Sequence, residues 1–353
     1  MSELLRIENL SAGYGGTPVI HDVWLSLHAG EVLGIVGESG SGKSTLLKAV
    51  AQVRGLSTEI LSGSVHFAGR DMAAVSAADK RRLHGEELAM VFQYAGASLN
   101  PSRTVGAQLT EAVRAHEKRT AAEIRARAED VFGGMGFTDV GRILAAYPFE
   151  LSGGMAQRAA IALAVILRPQ LLLADEPTSA LDATIQLQVL DELRALKERT
   201  GTAVLLITHN IGVVRHIADR VAVMSKGRIV EQGAVRDVLE RPQHAYTRAL
   251  LAAVPKMDVP NSAACAPCRL HAAHPSPAHI RTHSTEEESA ELLRFEHVSM
   301  HFKDGAVHIQ AVDDISFSLR QKELLGIVGE SGSGKSTVAK LLTGLHAPTG
   351  GRI

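Results

Sequence analysis

The chain has 353 residues, 45% of them hydrophobic, and its 37 basic and 38 acidic side chains give a formal net charge of −1. That length suits about two domains, and a charge near zero gives no electrostatic reason to propose nucleic acid or an anionic membrane surface as a partner. The two cysteines argue against a disulfide framework and indicate a reducing compartment.

Short apolar runs alternate with helical patterns along the first 255 residues. The runs are EVLGIVG at 31–37, LLLAD at 171–175 and AVLLIT at 203–208. Continuous apolar runs of this length predict buried, mostly parallel strands, so we expect an α/β fold. Residues 97–167 have helical patterning with little strand character, and we interpret them as a helical subdomain inserted into the sheet domain.

The first apolar run leads into a glycine-rich loop of the phosphate-binding type. Its pattern is met by Gly37, Gly42, Lys43 and Ser44, directly before a predicted helix start. Backbone N–H groups of such a loop turn toward phosphate oxygens, Lys43 would reach the β- and γ-phosphates, and Ser44 would bind Mg²⁺. The order strand, loop, helix weakens the alternative of a glycine-rich turn without a ligand.

Two acidic residues stand at the end of the run at 171–175, where open α/β sheets bind their ligands. Asp175 is predicted to hold Mg²⁺, directly or through water, and Glu176 to orient or deprotonate an attacking water. Alone, the two acids could merely cap a strand end. Together with the phosphate loop they indicate a nucleotide hydrolase, but they leave GTPase switch, kinase and transport motor open.

A further set of motifs resembles the ABC ATPases. LSGGMAQR at 151–158 resembles the signature of that family, and it is accompanied in the family's order by Gln93 in MVFQ, SALD at 179–182 and His209 in LLITHN. The resemblance implies a P-loop NTPase of ABC type, an α/β fold with an inserted helical subdomain and a small antiparallel β part. Residues 1–255 would form one complete nucleotide-binding domain.

In that family two nucleotide-binding domains meet head to tail, with ATP between the phosphate loop of one and the signature of the other. The resemblance therefore implies that Ser152, Gly153 and Gly154 contact the γ-phosphate held by an opposite domain. The opposite domain would come from a homodimer or from a full-length partner chain. ATP and Mg²⁺ are the expected ligands.

The resemblance also assigns single residues. Gln93 would sense Mg²⁺ and the attacking water, His209 would hydrogen-bond the γ-phosphate, and Asp182 would couple the two sites. Tyr14 would stack on adenine. The other nucleotide contacts expected in the first phosphate loop are Ser39, Gly40 and Thr45.

Two segments resemble one branch of the family, the importers of oligopeptides and dipeptides. They are MVFQYAGASLNP at 90–101, in which Tyr94 and Ala95 depart from the usual pair, and RPQHAYTRALLAAVP at 241–255. The branch implies membrane permease subunits as partners, a solute-binding protein indirectly, and a place at the cytoplasmic face of the plasma membrane. No membrane span is predicted, because the most apolar stretch, at 159–174, is broken by Arg168 and Pro169.

Residues 256–291 have the scattered prolines and histidines of a linker. Within them Cys265, Cys268, His271 and His274 have a spacing that suits metal ligands, although a His-rich linker without metal explains them as well.

The sequence pattern of the N-terminal segment then recurs after the linker. LLRFEHVSMHF at 292–302 parallels LLRIENLSAGY at 4–14, and GIVGESGSGKST occurs both at 34–45 and at 326–337. We interpret 292–353 as the N-terminal part of a second ABC nucleotide-binding domain, truncated after the helix that follows its phosphate loop. Its candidate adenine platform and phosphate-loop residues are Phe302, Gly329, Gly334, Lys335, Ser336 and Thr337.

The sequence thus favours an ATP-hydrolysing subunit of an importer for peptides or peptide-like solutes, such as glutathione or microcin. One alternative is an ABC ATPase that acts without a permease. Another is a nucleotide-binding fragment that hydrolyses poorly, because the second domain is incomplete.

Overall fold

A computed structural model describes residues 2–53, 58–179, 181, 183–254, 290–304, 307–329 and 333–353. The chain divides into two compact units, Met1–Lys256 and Met257–Ile353. The linker predicted at 256–291, with Cys265, Cys268, His271 and His274, lies outside the described residues except for its last two positions.

The first unit has two sheets. Its strands are β1 (Glu3–Tyr14), β2 (Thr17–His28), β3 (Val32–Val36), β4 (Glu59–Phe67), β5 (Arg70–Asp71), β6 (Leu88–Val91), β7 (Leu171–Asp175), β8 (Ala203–Ile207), β9 (Arg220–Ser225) and β10 (Arg228–Ala234). One sheet is antiparallel with the order β2-β1-β4-β5, and the other has the order β10-β9-β3-β8-β7-β6. In the larger sheet only the pair of β9 and β10 is antiparallel.

Its helices are α1 (Lys43–Ala51), α2 (Ala77–Glu86), α3 (Val105–His116), α4 (Ala121–Gly134), α5 (Val140–Ala145), α6 (Gly153–Val165), α7 (Ala183–Thr200), α8 (Ile211–Ile217), α9 (Val235–Glu240) and α10 (Ala245–Ala252). Helices α3 to α6 follow one another between β6 and β7, within the residues predicted to be helical, with short 3₁₀ turns at 95–98 and 148–150.

The central strands are buried because both faces of the larger sheet are covered. All five residues of each of β3, β7 and β8 are buried, as their predominantly apolar sequences predict, and Asp175 at the end of β7 is the one charged residue among them. In β8, Val204 and Leu206 belong to the core shared with α4, α6 and α7, whereas Leu205 and Ile207 belong to the core shared with α1 and the antiparallel sheet. The predicted α/β fold is confirmed, and the parallel strands end at one common edge.

The described part of the second unit is a small antiparallel sheet with one helix. Its described elements are β11 (Glu291–Asp304), β12 (Val307–Arg320), α11 (Lys335–Leu342) and β13 (Gly350–Arg352), with the strand order β12-β11-β13. Phe295 and Phe317 stack in its core with ring centroids 4.4 Å apart.

The repeated sequence before the phosphate loop folds differently in the two units. In the first unit it forms β3, which lies between β8 and β9. In the second unit the described residues 323–329 form no strand, and Leu324 and Val328 are 96% and 93% exposed. A parallel strand needs covering layers and hydrogen-bonded neighbours, and the described part of this unit supplies neither to these residues.

Candidate functional site

The phosphate loop joins β3 to α1 at the common edge of the parallel strands. Gly37 and Gly42 have positive φ angles of 156° and 101°. A Cβ atom at Gly37 would lie 2.1 Å from the carbonyl oxygen of Met224, and one at Gly42 would lie 2.8 Å from Ile20 Cγ2. Both positions therefore require glycine, and the loop is held in a fixed shape against β9 and β2.

Lys43 lies inside this loop and is only 7% exposed. Its Nζ donates to the carbonyl oxygens of Gly37 at 2.8 Å and Glu38 at 2.7 Å. Burial lowers the pKa of Lys43, and the nearby carboxylates of Glu176, Asp175 and Glu38 oppose that effect. An ammonium group whose described hydrogen bonds go to neutral partners suits an anionic ligand.

Asp175 ends β7 next to the first residues of α1. The Ser44 hydroxyl donates to Asp175 Oδ1 at 3.2 Å. Burial raises the pKa of Asp175 and the Glu176 carboxylate raises it further, while Ser44, Lys48 and Lys43 lower it. A hydroxyl and a carboxylate oxygen are hard ligands that suit Mg²⁺, an ion that completes its shell with water and substrate phosphates.

Among the described residues there is no group of three or more histidine, cysteine, aspartate or glutamate side chains that could hold a metal ion. The hydroxyl of Ser44 and the carboxylate of Asp175 fit a cation that is bound together with a phosphate substrate, and Ser44 and Gln93 line one cleft.

Glu176 is the centre of a three-residue cluster. Gln93 Nε2 donates to Glu176 Oε2 at 3.2 Å, and His209 Nδ1 lies 2.9 Å from Glu176 Oε1. The side chain of Glu176 is 16% exposed, whereas that of His209 is 63% exposed. The backbone of Glu176 has φ 45°, a left-handed conformation that is unfavourable for a residue with a Cβ atom. The two residues that orient the carboxylate follow other strands: Gln93 follows β6, and His209 follows β8.

These groups face one cleft of about 520 Å³. It is lined by Val19, Ser39, Gly40, Gly42, Lys43, Ser44, Thr45, Gln93, Glu176 and His209. Tyr14 ends β1, and its hydroxyl lies 3.3 Å from Thr45 Oγ1, a hydrogen bond that lowers the pKa of Tyr14. Tyr14 is 37% exposed and lies beside Thr45, which lines the cleft.

The signature residues begin α6. The Ser152 hydroxyl caps the helix by accepting from the N–H of Met155 at 3.3 Å. Ser152 and Gly153 are exposed, and a Cβ atom at Gly153 would meet open space. Within the described part of the first unit, Ser152, Gly153 and Gly154 do not line the cleft that holds Lys43. Asp182 lies outside the described residues.

One contact of α6 was missed by the sequence analysis. The buried side chain of Gln157 donates to the carbonyl oxygen of Pro177, the residue that follows Glu176. It therefore ties the helix that carries the signature to the loop that carries the acid pair. Its position inside the quoted LSGGMAQR was the available signal.

The second phosphate loop repeats part of this geometry. Lys335 Nζ donates to the Gly329 carbonyl at 2.7 Å and to Ser333 Oγ at 3.3 Å. Gly334 has φ 92°, and Ser336 and Thr337 lie in the first turn of α11. Phe302 makes an edge-on contact with His346, at 5.3 Å between ring centroids.

Comparison with known proteins places both units in one family. The family model described as ABC transporter matches residues 20–179 and 312–353. A second model, described as oligopeptide/dipeptide transporter, C-terminal region, matches residues 230–277. The chain is thus similar to this family over more than half of its length.

Two curated relatives are similar to nearly the whole chain. The peptidoglycan transport ATP-binding protein YejF of Agrobacterium fabrum is 40% identical over 98% of this chain and 62% of its own length. The glutathione import ATP-binding protein GsiA of Escherichia coli K12 is 38% identical over 99% of this chain and 59% of its own length. The chain therefore spans about three fifths of the length of these relatives.

Solved structures agree on the fold. The chain is similar to the ATP-binding cassette MJ0796 in a dimeric, post-hydrolysis state bound to ADP and Pi, with TM-score 0.59 and 26% identity over 66% of this chain and 99% of that one. It is also similar to cbiO1 from Clostridium perfringens, part of the transporter complex cbiONQ, with TM-score 0.61 and 26% identity over 68% and 92% of the two chains. No helix in the described residues is both long and apolar enough to cross a membrane.

Proposed function

The chain belongs to the ABC transporter family, and we propose that it is the ATP-hydrolysing subunit of an importer for peptides or peptide-like solutes. The observation that carries this proposal is the convergence of Lys43, Ser44 and the Glu176 cluster on one cleft, with Asp175 hydrogen-bonded to Ser44. The match of residues 230–277 to the oligopeptide/dipeptide C-terminal region supports the solute class.

Each residue of the cleft has a role in this proposal. Lys43 exchanges its backbone carbonyl partners for phosphate oxygens of ATP, and backbone N–H groups of the glycine-rich loop bind the remaining oxygens. Ser44 and Asp175 would hold Mg²⁺, and the ion would neutralise phosphate charge there. Glu176 accepts a proton from the attacking water, while Gln93 and His209 keep its carboxylate in place.

The proposed site needs a second ABC domain. Ser152 and Gly153 are exposed at the N-terminus of α6 and do not line the described cleft of their own unit. A helix N-terminus attracts anions, so we expect these residues to contact the γ-phosphate bound by another copy or by a longer partner chain. One of the similar solved structures is itself a dimer bound to ADP and Pi.

We expect ATP hydrolysis to rise more steeply than linearly with protein concentration, because two chains must meet to complete a site. The measurement is phosphate release at saturating Mg-ATP over a hundred-fold dilution series. Ser152→Ala mixed with an excess of Glu176→Gln tests the same point, since each chain supplies what the other lacks. A specific activity that does not change on dilution would contradict the shared site.

The transport role predicts a stable association with membrane permease subunits at the cytoplasmic face of the plasma membrane. Tagged chain is isolated from detergent-solubilised membranes, and the co-isolated proteins are identified by mass spectrometry. We expect polytopic permease subunits in amounts comparable to the bait. Recovery only in the free fraction, or with ribosomes, would favour the ABC ATPase that acts without a permease.

A further inference from the structure

The helix α10, the last described helix of the first unit, reaches the phosphate loop through one side chain. The hydroxyl oxygen of Tyr246 accepts a hydrogen bond from the backbone N–H of Glu38 at 3.1 Å. Glu38 directly follows Gly37 in the loop, and 208 positions separate the two partners in the chain. Residue 246 lies in the segment that matches the oligopeptide/dipeptide C-terminal region, outside the segments that match the ABC transporter model.

Both backbone groups of Glu38 are held, each by a different partner. Its N–H donates to Tyr246, and its carbonyl oxygen accepts from Lys43 Nζ at 2.7 Å and from the Ser41 N–H at 3.2 Å. When Lys43 turns to a phosphate, it releases the carbonyl of Glu38. The hydrogen bond to Tyr246 does not depend on that movement, so it keeps the start of the loop in place while the lysine changes partners.

The helix that carries Tyr246 is itself fixed to the sheet. The Glu231 carboxylate on β10 accepts from the N–H groups of Gln243 at 2.7 Å and His244 at 3.0 Å, immediately before α10. Tyr246 also packs against the apolar cluster that contains Val36, the last residue of β3. Two contacts therefore position the hydroxyl: the hydrogen bonds of Glu231 on β10 to the start of α10, and the packing of Tyr246 against the cluster that contains Val36.

We propose that Tyr246 is a positioning residue for nucleotide binding. It belongs to the segment at 230–277 and holds the phosphate loop in place by accepting the hydrogen bond from the Glu38 N–H. The inference rests on the proposed function, because it assumes that this loop binds ATP. It adds a residue that the phosphate-loop motif does not contain. It also links the segment that marks the solute branch to the affinity for nucleotide.

The test is Tyr246→Phe in the full chain, which removes one oxygen and retains the ring. Lys335→Ala is combined with it, so that mant-ATP with Mg²⁺ reports on the first phosphate loop alone. We expect the dissociation constant to rise about three- to ten-fold, the effect of one neutral hydrogen bond. Tyr147→Phe in the same background removes a hydroxyl at an exposed position and is expected to leave it unchanged.

A second readout separates positioning from general destabilisation. In the unmodified chain the Glu38 amide is expected to be protected from hydrogen exchange, and in Tyr246→Phe it should exchange faster. The melting temperature should stay within about 2 °C of that of the unmodified chain, as expected for loss of a single surface contact. An unprotected Glu38 amide in the unmodified chain would overturn the proposal without any variant.

The outcomes also separate this inference from the proposed function. If the unmodified chain binds mant-ATP and Tyr246→Phe binds it equally well, the role of Tyr246 is refuted and the ATPase proposal stands. If the unmodified chain does not bind mant-ATP, the ATPase proposal fails, and the positioning role fails with it.

Discussion

Replacing Lys43 with alanine is expected to abolish retention of Mg-ATP by the first unit. The buried ammonium is held by neutral groups, with Gly37 and Glu38 as its carbonyl partners. Two charge-assisted hydrogen bonds to phosphate oxygens contribute about 3 kcal/mol or more, so the affinity should fall at least about 100-fold. The measurement is a calorimetric or mant-ATP titration in the presence of Mg²⁺.

The control must account for the second phosphate loop, in which Lys335 makes the equivalent contact with Gly329. Both Lys43→Ala and the reference chain therefore carry Lys335→Ala. Lys118→Ala removes an identical charge at an exposed position between α3 and α4, which does not line the described cleft, and it should retain most of the affinity. Equal affinity of the Lys43→Ala chain and the reference would refute the assigned phosphate site.

Glu176→Gln is expected to leave Mg-ATP binding intact and to reduce hydrolysis by about 10²- to 10⁴-fold, the usual contribution of a general base. The amide has nearly the same shape as the carboxylate, so one of the contacts with Gln93 and His209 can persist. It has no basic oxygen that can accept the proton of water. Single-turnover phosphate release, measured at a protein concentration at which the unmodified chain is active, isolates the chemical step.

A matched control is Glu198→Gln, which removes a carboxylate from the exposed face of α7. It is expected to hydrolyse ATP at the rate of the unmodified chain. A Glu176→Gln chain with unchanged single-turnover rate would show that another group accepts the proton. It would also remove the argument for a base at the end of β7.

The α/β fold was predictable because burial of the central strands is visible in their composition. β3, β7 and β8 are predominantly apolar in sequence and are buried at every position. The second unit was not predictable in the same way. Its residues 326–329 repeat residues 34–37, yet no strand forms there among the described residues, because strand formation depends on neighbours.

The residues of the candidate site could be proposed from the sequence, but their mutual contacts could not. Motif order pointed to Gln93, Glu176 and His209, whereas their arrangement around one carboxylate depends on how β6, β7 and β8 lie side by side. The contact between Tyr246 and Glu38 joins residues 208 positions apart. No local pattern records such a distance, so the structure was needed to find it.

The left-handed backbone of Glu176 implies a conflict between the stability of the fold and the chemical role of the side chain. Glycine adopts φ 45° at no steric cost, while a side chain at this angle is disfavoured by about 1 kcal/mol. The residue with the least backbone strain in this turn is therefore glycine, which has no carboxylate. Under the proposed function, the chain retains an acid there at the expense of its own folding free energy, as is common at active sites.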